Sequence, residues 1–206
     1  MLNFDSSFLE ENDKLVCLGD SLTAAENAYM DILKAKLNKN TVINAGVGGD
    51  KTVNALVRFE KDVLSQKPDA LFIFLGTNDA VIGKGRWADE PTISPEAYRD
   101  NLIWICYLAK QNKINKLSIC TPAAFCEGEA LFDSGDCLGD YCLAARTAAD
   151  RMQVRLVPFD SAFRTEWRKN TDNEAMFLTR DGVHLNEKGN MLLANTILNA
   201  WKMNGC

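Results

Sequence analysis

Histidine is almost absent from this chain: one imidazole, His184, occurs in 206 residues. Long apolar runs are missing as well. The longest strongly apolar segment, ALFIFLG at residues 70–76, is far shorter than the roughly 20 residues that span a bilayer. Lysine and arginine are scattered, no basic stretch occurs, and the net charge is −5. We therefore expect no membrane insertion and no nucleic-acid partner.

The first residues, MLNFDSSFLEENDK, lack the features of a secretory leader. They are acidic and contain neither a basic start, a long apolar stretch nor a small-residue cleavage site. This composition predicts a soluble protein in the cytoplasm. Nothing in the sequence predicts its oligomeric state.

The seven cysteines do not form the patterns of a disulfide framework or a zinc site. Their number is odd, and no C-x-x-C occurs. Cys17, Cys106 and Cys120 lie in apolar stretches, which predicts small buried thiols. A bridge within the looser region that contains Cys126, Cys137 and Cys142 stays an alternative.

Short apolar runs alternate with longer amphipathic segments along the chain. The length predicts a single domain over residues 1–206. Predicted strands cover residues 14–19, 41–46, 70–76, 116–121 and 155–159, and predicted helices cover residues 27–39, 52–66, 94–112, 136–152, 161–170 and 187–203. Ser94 and Pro95 have the residue types of a helix start. Strands that each precede a helix predict the α/β class, with about five parallel strands in a three-layer α/β/α sandwich.

Polar segments follow three of the predicted strands. They are GDSL at 19–22, NAGVGGD at 44–50 and GTND at 76–79, and a fourth polar segment, DGVH at 181–184, precedes the last helix. In open parallel sheets, ligands bind beyond the carboxyl ends of the strands. We therefore expect all four segments to meet at one edge of the sheet.

Ser21, Asp181 and His184 are the candidate catalytic residues. A serine hydroxyl becomes a nucleophile when a base removes its proton, and the chain offers one histidine for that task. The carboxylate of Asp181, three residues before His184, can orient the ring. Taken alone, Ser21 is more typical of a helix N-cap, and His184 of an exposed loop.

Acyl transfer also needs donors for the oxygen that becomes negative. The backbone N–H of Gly49, the side-chain amide of Asn78 and the backbone N–H of Ser21 are the candidates for this oxyanion hole. The alternatives are a flexible glycine turn and a turn-capping amide. The segment around Ser21 lacks the second glycine of the G-x-S-x-G elbow, and NAGVGGD lacks the G-x-G-x-x-G spacing of dinucleotide sites.

Together these segments resemble the four blocks of the SGNH hydrolases, also called the GDSL esterase/lipase family. GDSL is similar to the first block, NAGVGGD to the second, GTND to the third and DGVH to the last. The resemblance covers residues 19–184. It implies a flavodoxin-like sandwich of five parallel strands, with no metal and no cofactor. It also implies Ser21 as nucleophile, Gly49 and Asn78 as oxyanion donors, and Asp181 and His184 completing the triad.

The substrate expected from these features is a small ester. The loops after the third and fourth strands carry Trp87, Phe125 and Phe132, of which Trp87 and Phe125 are the candidate substrate-binding residues. Packing anchors are the alternative for these aromatics, as solvated charges are for Lys84 and Arg86. Short loops of mixed polarity favour short acyl groups, such as acetyl, on a hydrophilic or carbohydrate alcohol. A thioesterase or lysophospholipase, an acyltransferase and a non-catalytic sugar- or nucleotide-binding module remain open.

Overall fold

A parallel sheet organises the chain, which is described by a computed structural model covering residues 6–80, 91–128, 138–172 and 176–203. Its strands are β1 (Lys14–Gly19), β2 (Thr41–Gly46), β3 (Ala70–Phe74), β4 (Lys116–Cys120) and β5 (Arg155–Val157). All four pairings are parallel, in the order β2-β1-β3-β4-β5. This is the flavodoxin-like order.

Helices cover both faces of the sheet. They are α1 (Ser21–Ala24), α2 (Tyr29–Lys36), α3 (Thr52–Val57), α4 (Phe59–Asp62), α5 (Pro95–Gln111), α6 (Leu138–Met152), α7 (Phe159–Trp167) and α8 (Glu187–Ala200). One apolar core joins the sheet to α3, α5 and α6, and a second joins it to α2, α7 and α8. The predicted three-layer α/β/α sandwich is confirmed. The single-domain assignment stays a prediction.

The strands are apolar on both sides because each side meets a different helix layer. In β3, Leu71 and Ile73 face the first core, whereas Phe72 and Phe74 face the second. Parallel strands covered on both faces have this near-continuous apolar pattern. Trp201 lies in the second core, where its indole N–H donates to the Ser118 hydroxyl at 3.0 Å.

Two helix predictions have different outcomes. Ser94 caps α5 by accepting a hydrogen bond from the Ala97 N–H at 3.2 Å, and Pro95 occupies the first turn, as predicted. The predicted helix 52–66 is instead divided into α3, α4 and a 3₁₀ turn at Leu64–Gln66. The division falls at Arg58, whose guanidinium bonds the carbonyls of Gly19 and Ala45 at the ends of β1 and β2.

The first three strands end at the same edge of the sheet. Gly19, the last residue of β1, is in register with Gly46 of β2 and with Phe74 of β3. The three polar segments that follow therefore open onto one rim. A Cβ at Gly46 would collide with the backbone of Thr23 and Ala24, so glycine is required where β2 passes under α1.

Candidate active site

Ser21 is the first residue of α1 and follows directly after β1. The N-cap is Asp20, whose Oδ1 accepts a hydrogen bond of 2.9 Å from the Leu22 N–H. The alternative that Ser21 is an ordinary N-cap is therefore wrong. Its hydroxyl points to another partner.

That partner is His184, 163 residues further along the chain. Ser21 Oγ lies 3.0 Å from His184 Nε2, and His184 Nδ1 lies 2.7 Å from Asp181 Oδ2. With the Nδ1 proton donated to the carboxylate, Nε2 is the ring nitrogen that accepts from the hydroxyl. Hydroxyl, imidazole and carboxylate thus form a continuous chain of hydrogen bonds.

Asp181 has more than one contact with the turn that carries His184. Its Oδ1 accepts the backbone N–H groups of His184 at 2.7 Å and Val183 at 3.1 Å. Partial burial alone would raise the pKa of the Asp181 carboxyl, but these bonds and the bond from the ring lower it below its ordinary value. The carboxylate is therefore held ionised and fixed in orientation beside the ring.

The glycine turn after β2 lies beside Ser21. A Cβ at Gly48 would come 3.9 Å from Ser21 Cβ. Gly49 is exposed and has φ +81°, a conformation that side-chain-bearing residues rarely adopt, and no heavy atom lies within 4 Å of the place a Cβ would take. An open, left-handed glycine lets another molecule approach its backbone closely.

Asn78 joins the segments after β1 and β2. Its side-chain amide donates to the Asp50 carbonyl at 3.1 Å and to Asp20 Oδ2 at 3.3 Å. The structure therefore brings Asn78 to the rim that holds Ser21 and the glycine turn. The catalytic and oxyanion roles of these residues stay predictions.

Two buried carboxyl groups behind this rim were not predicted as part of the site. Burial raises the pKa of Asp20 to about 7, with the neighbouring charges of Asp79 and Asp50 contributing. Burial also raises the pKa of Asp79 to about 6, although Asp79 accepts hydrogen bonds from the Thr52 hydroxyl at 2.5 Å and backbone N–H at 3.1 Å. Asp20 and Asp79 follow β1 and β3 directly, so their position in the sequence could have signalled them.

Glu127 is a further residue that sequence reasoning missed. It is buried, and its carboxylate accepts hydrogen bonds from the backbone N–H groups of Phe177, Leu178 and Thr179 and from the Thr179 hydroxyl. Its own backbone N–H donates to the Gly182 carbonyl at 2.9 Å. Glu127 thereby holds the turn that presents Asp181 and His184. Its contacts lie about fifty residues away in the chain, so no local pattern signals them.

The two candidate substrate-binding aromatics have different outcomes. Phe125 is partly buried and packs edge-on against Phe163 and Trp167, with ring centroids 5.3 Å and 5.1 Å apart. These are the contacts of a packing anchor, and its role in substrate binding stays a prediction. Trp87 lies outside the described residues, as do Lys84, Arg86 and Phe132.

The cysteine and metal predictions can be compared with the described residues. Cys17, Cys106 and Cys120 are buried thiols, as predicted. Cys137, which the alternative bridge would involve, lies outside the described residues. Across the described part of the chain, no group of three or more His, Cys, Asp or Glu side chains is arranged to hold a metal ion.

A groove of about 900 Å³ begins at His184 and runs between α2 and α8. Sequence reasoning placed the candidate substrate-binding residues on the loops after β3 and β4 and contained no signal for this groove. It exists because α2 and α8 pack side by side on one face of the sheet, so their exposed edges form its two walls.

A doubly wound sheet with a serine, an imidazole and a carboxylate hydrogen-bonded at its carboxyl edge has the arrangement of a serine hydrolase. Residues 17–192 match the GDSL-like lipase/acylhydrolase family. The chain therefore belongs to this family, as the four sequence blocks predicted.

Relatives and solved structures agree with this family. The chain is 35% identical over 123 residues to the uncharacterized lipoprotein YqeF of Bacillus subtilis (strain 168), covering 53% of this chain and 49% of that protein. It is 34% identical over 87 residues to an arylesterase of Vibrio mimicus, covering 38% and 44%. The chain thus matches about half the length of these curated relatives.

Solved structures cover nearly the whole chain. The acetyl xylan esterase AlAXEase is 27% identical, with a TM-score of 0.78 over 91% of this chain and 98% of that one. The family and this neighbour support an ester-hydrolysing enzyme. Among the described residues, no helix has the length and apolar character needed to cross a bilayer. The cytoplasmic location stays a prediction, since one relative is named a lipoprotein.

Proposed function

We propose that this chain is a serine esterase that hydrolyses carboxylic esters through an acyl-enzyme intermediate. One observation carries the proposal: Ser21 Oγ lies 3.0 Å from His184 Nε2, and the other ring nitrogen lies 2.7 Å from Asp181. These distances are those of a nucleophile, a general base and an orienting carboxylate. Asp181 stabilises the imidazolium that forms when the ring takes the serine proton.

The reaction has two halves. His184 removes the proton of Ser21 as the hydroxyl attacks the ester carbonyl, and the resulting imidazolium protonates the departing alcohol. In the second half His184 removes a proton from water, which attacks the acyl-enzyme, and returns that proton to Ser21.

The oxyanion would be stabilised by the backbone N–H groups of Ser21 and Gly49 and by the amide of Asn78. The amide has two N–H groups, directed to the Asp50 carbonyl at 3.1 Å and to Asp20 Oδ2 at 3.3 Å. The longer bond is the weaker one. The oxyanion would therefore compete with the carboxyl of Asp20 for that N–H.

The substrate we propose carries a short acyl group, such as acetyl, on a hydrophilic or carbohydrate alcohol. The similarity to an acetyl xylan esterase supports this choice. A second candidate is an ester of an aromatic alcohol, which the similarity to an arylesterase favours. The alternative is an enzyme for longer acyl chains, such as a thioesterase or lysophospholipase. Rates measured on esters from acetyl to palmitoyl distinguish this alternative from a short-acyl esterase.

Loss of the nucleophile tests the activity. Ser21→Ala should lower kcat on 4-nitrophenyl acetate about 10⁶-fold and abolish labelling by a fluorophosphonate. Ser65→Ala, at an exposed serine whose hydroxyl bonds the Lys61 carbonyl within its own helical turn, is the matched control and should behave as wild type. A non-catalytic binding module would show no labelling of the wild type, and retained activity in Ser21→Ala would refute the assignment. Adding acceptor alcohols during turnover would reveal an acyltransferase.

A further inference from the structure

The groove between α2 and α8 shares one lining residue, His184, with the candidate active site. Its volume of about 900 Å³ lies near the upper end of the usual range for ligand sites, about 300–1,000 Å³. His184 lines it at one end, and from there it follows α2 past Ala28 and Ile32 to Ala35. It offers far more space than an acetyl group needs.

The position of the groove decides which portion of an ester can enter it. The candidate oxyanion donors Gly49 and Asn78 come from the segments after β2 and β3, and the helices that follow them, α3 and α5, pack on the face of the sheet opposite α2 and α8. The ester oxygen that becomes the alcohol must lie beside His184, since this ring delivers its proton. The groove therefore starts where the alcohol portion departs.

The lining chemistry indicates which alcohol fits. Nine polar side chains line the groove. Within the described part of the chain, six of them form no side-chain hydrogen bond or ion pair: Glu26, Asn27, Asp31, Lys36, Arg180 and Glu187. They present both donors and acceptors, which hydroxyl groups use equally well. The three carboxylates exceed the two cations by one charge, so the lining favours an uncharged alcohol over one that carries a phosphate or carboxylate.

Apolar side chains alternate with these polar ones. Ala25, Ile32 and Met191 contribute methyl and methylene groups to the lining, and the described lining contains no Phe, Tyr or Trp side chain. A flat aryl alcohol would find no stacking partner among these residues. The carbon-bound faces of a sugar ring would contact the aliphatic groups while its hydroxyls reach the polar ones.

We propose that the groove between α2 and α8 binds the alcohol portion of the ester, and that this alcohol is an uncharged, hydroxyl-rich chain such as an oligosaccharide. This inference rests on the proposed esterase function and adds the location and chemical class of the leaving group.

Blocking the far end of the groove tests the inference. Ala35 is exposed, lines the groove seven residues beyond Ala28, and makes no contact that the catalytic proposal uses. Ala35→Trp should lower kcat/KM for acetylated xylo-oligosaccharides about tenfold or more. It should leave kcat/KM for 4-nitrophenyl acetate within about twofold, because that alcohol is a single small ring that remains near His184. Lys34→Trp places the same side chain on the same helix outside the groove and should change neither value.

The same variants test whether the groove holds the acyl chain instead of the alcohol. If Ala35→Trp slows 4-nitrophenyl octanoate while sparing both acetates, the groove holds the acyl chain and the proposal is overturned. Equal loss on every substrate, or no loss on the oligosaccharide, overturns it as well. A wild type inactive on all three esters defeats the proposed function instead, so the two failures are distinguishable.

A comparison of an uncharged with a phosphorylated alcohol tests the expected charge preference. Wild type should hydrolyse glycerol monoacetate faster than 1-acetylglycerol 3-phosphate, and Asp31→Asn together with Glu26→Gln should narrow that difference. A wild type that prefers the phosphate ester contradicts an uncharged alcohol.

Discussion

Glu127 and Thr179 are joined by two hydrogen bonds to one carboxylate oxygen. The Thr179 backbone N–H donates to Glu127 Oε2 at 2.7 Å and the Thr179 hydroxyl donates to it at 2.6 Å. The same hydroxyl accepts the Gly182 N–H at 3.0 Å. A buried carboxylate on the loop after β4 is thereby connected to the turn that carries Asp181 and His184.

This connection predicts a loss of activity that does not come from unfolding. Thr179→Val removes the hydroxyl at nearly constant shape, whereas Thr179→Ser keeps it. Because small displacements of a catalytic group cost up to about 10²-fold in rate, we expect Thr179→Val to lower kcat roughly tenfold at constant KM, with Thr179→Ser near wild type. Rates on 4-nitrophenyl acetate should be normalised by fluorophosphonate titration of active sites.

The single histidine supplies a second measurement of the same turn. Since the chain has one imidazole, the downfield proton on His184 Nδ1 can be identified in an NMR spectrum without assignment. That signal should be broadened in Thr179→Val and in Glu127→Gln, and retained in Thr179→Ser. An unchanged signal and unchanged kcat in Thr179→Val would show that the turn does not depend on Glu127.

Loss of the Asn78 amide should slow the chemical step. Removing one oxyanion donor costs about 10²–10³ in kcat, so Asn78→Ala should lose that much with little change in KM. Asn112→Ala, at an exposed amide that bonds the Leu108 carbonyl at 2.9 Å at the end of α5, is the matched control. A loss smaller than about threefold in Asn78→Ala would remove this amide from the proposed oxyanion hole.

Asp20 should make the protein less stable as the pH rises. Its pKa is about 7 in the folded protein against an ordinary 3.8, so the folded state binds more protons between these values. The free energy of unfolding contributed by this carboxyl therefore falls from about pH 4 to about pH 7. Asp20→Asn keeps a residue type suited to the N-cap but cannot titrate.

The measurement is the melting temperature of both proteins across that range. The melting temperature of Asp20→Asn minus that of wild type should increase steadily with pH, whatever its starting value. A difference independent of pH would mean that Asp20 titrates near its ordinary value.

Gly46, the last residue of β2, and Gly48, in the turn that follows, should respond differently to a methyl group. At Gly46 a Cβ would meet the backbone of Thr23 and Ala24, and overpacking of this kind costs about 1–3 kcal/mol. At Gly48 the nearest atom would lie at 3.9 Å, which is ordinary contact. We expect urea unfolding to show a strongly lowered free energy of unfolding for Gly46→Ala. The free energy of unfolding of Gly48→Ala should lie within about 0.5 kcal/mol of the wild-type value. Equal urea concentrations at the unfolding midpoint for the two variants would contradict the close approach of β2 to α1.

Sequence patterns predicted the layers of this protein well. Apolar runs such as residues 70–76 are local, and their alternation with amphipathic segments determines a parallel sheet with helices on both faces. The interrupted helix at 52–66 was not predictable, since Arg58 leaves helical geometry where its guanidinium bonds carbonyls of β1 and β2. The N-cap role of Asp20 in place of Ser21 was equally hidden, because both residue types favour that position.

By itself the sequence determined the order of the strands and helices, the candidate chemistry and the family, because these depend on residue types and short spacings. Tertiary structure alone decided that Ser21 Oγ and His184 Nε2 lie 3.0 Å apart and that Glu127 holds the turn that carries His184. It also decided that a groove opens beside the imidazole. The physical reason is that each of these features joins residues dozens of positions apart, which come within a few ångströms only when the strands and helices pack together.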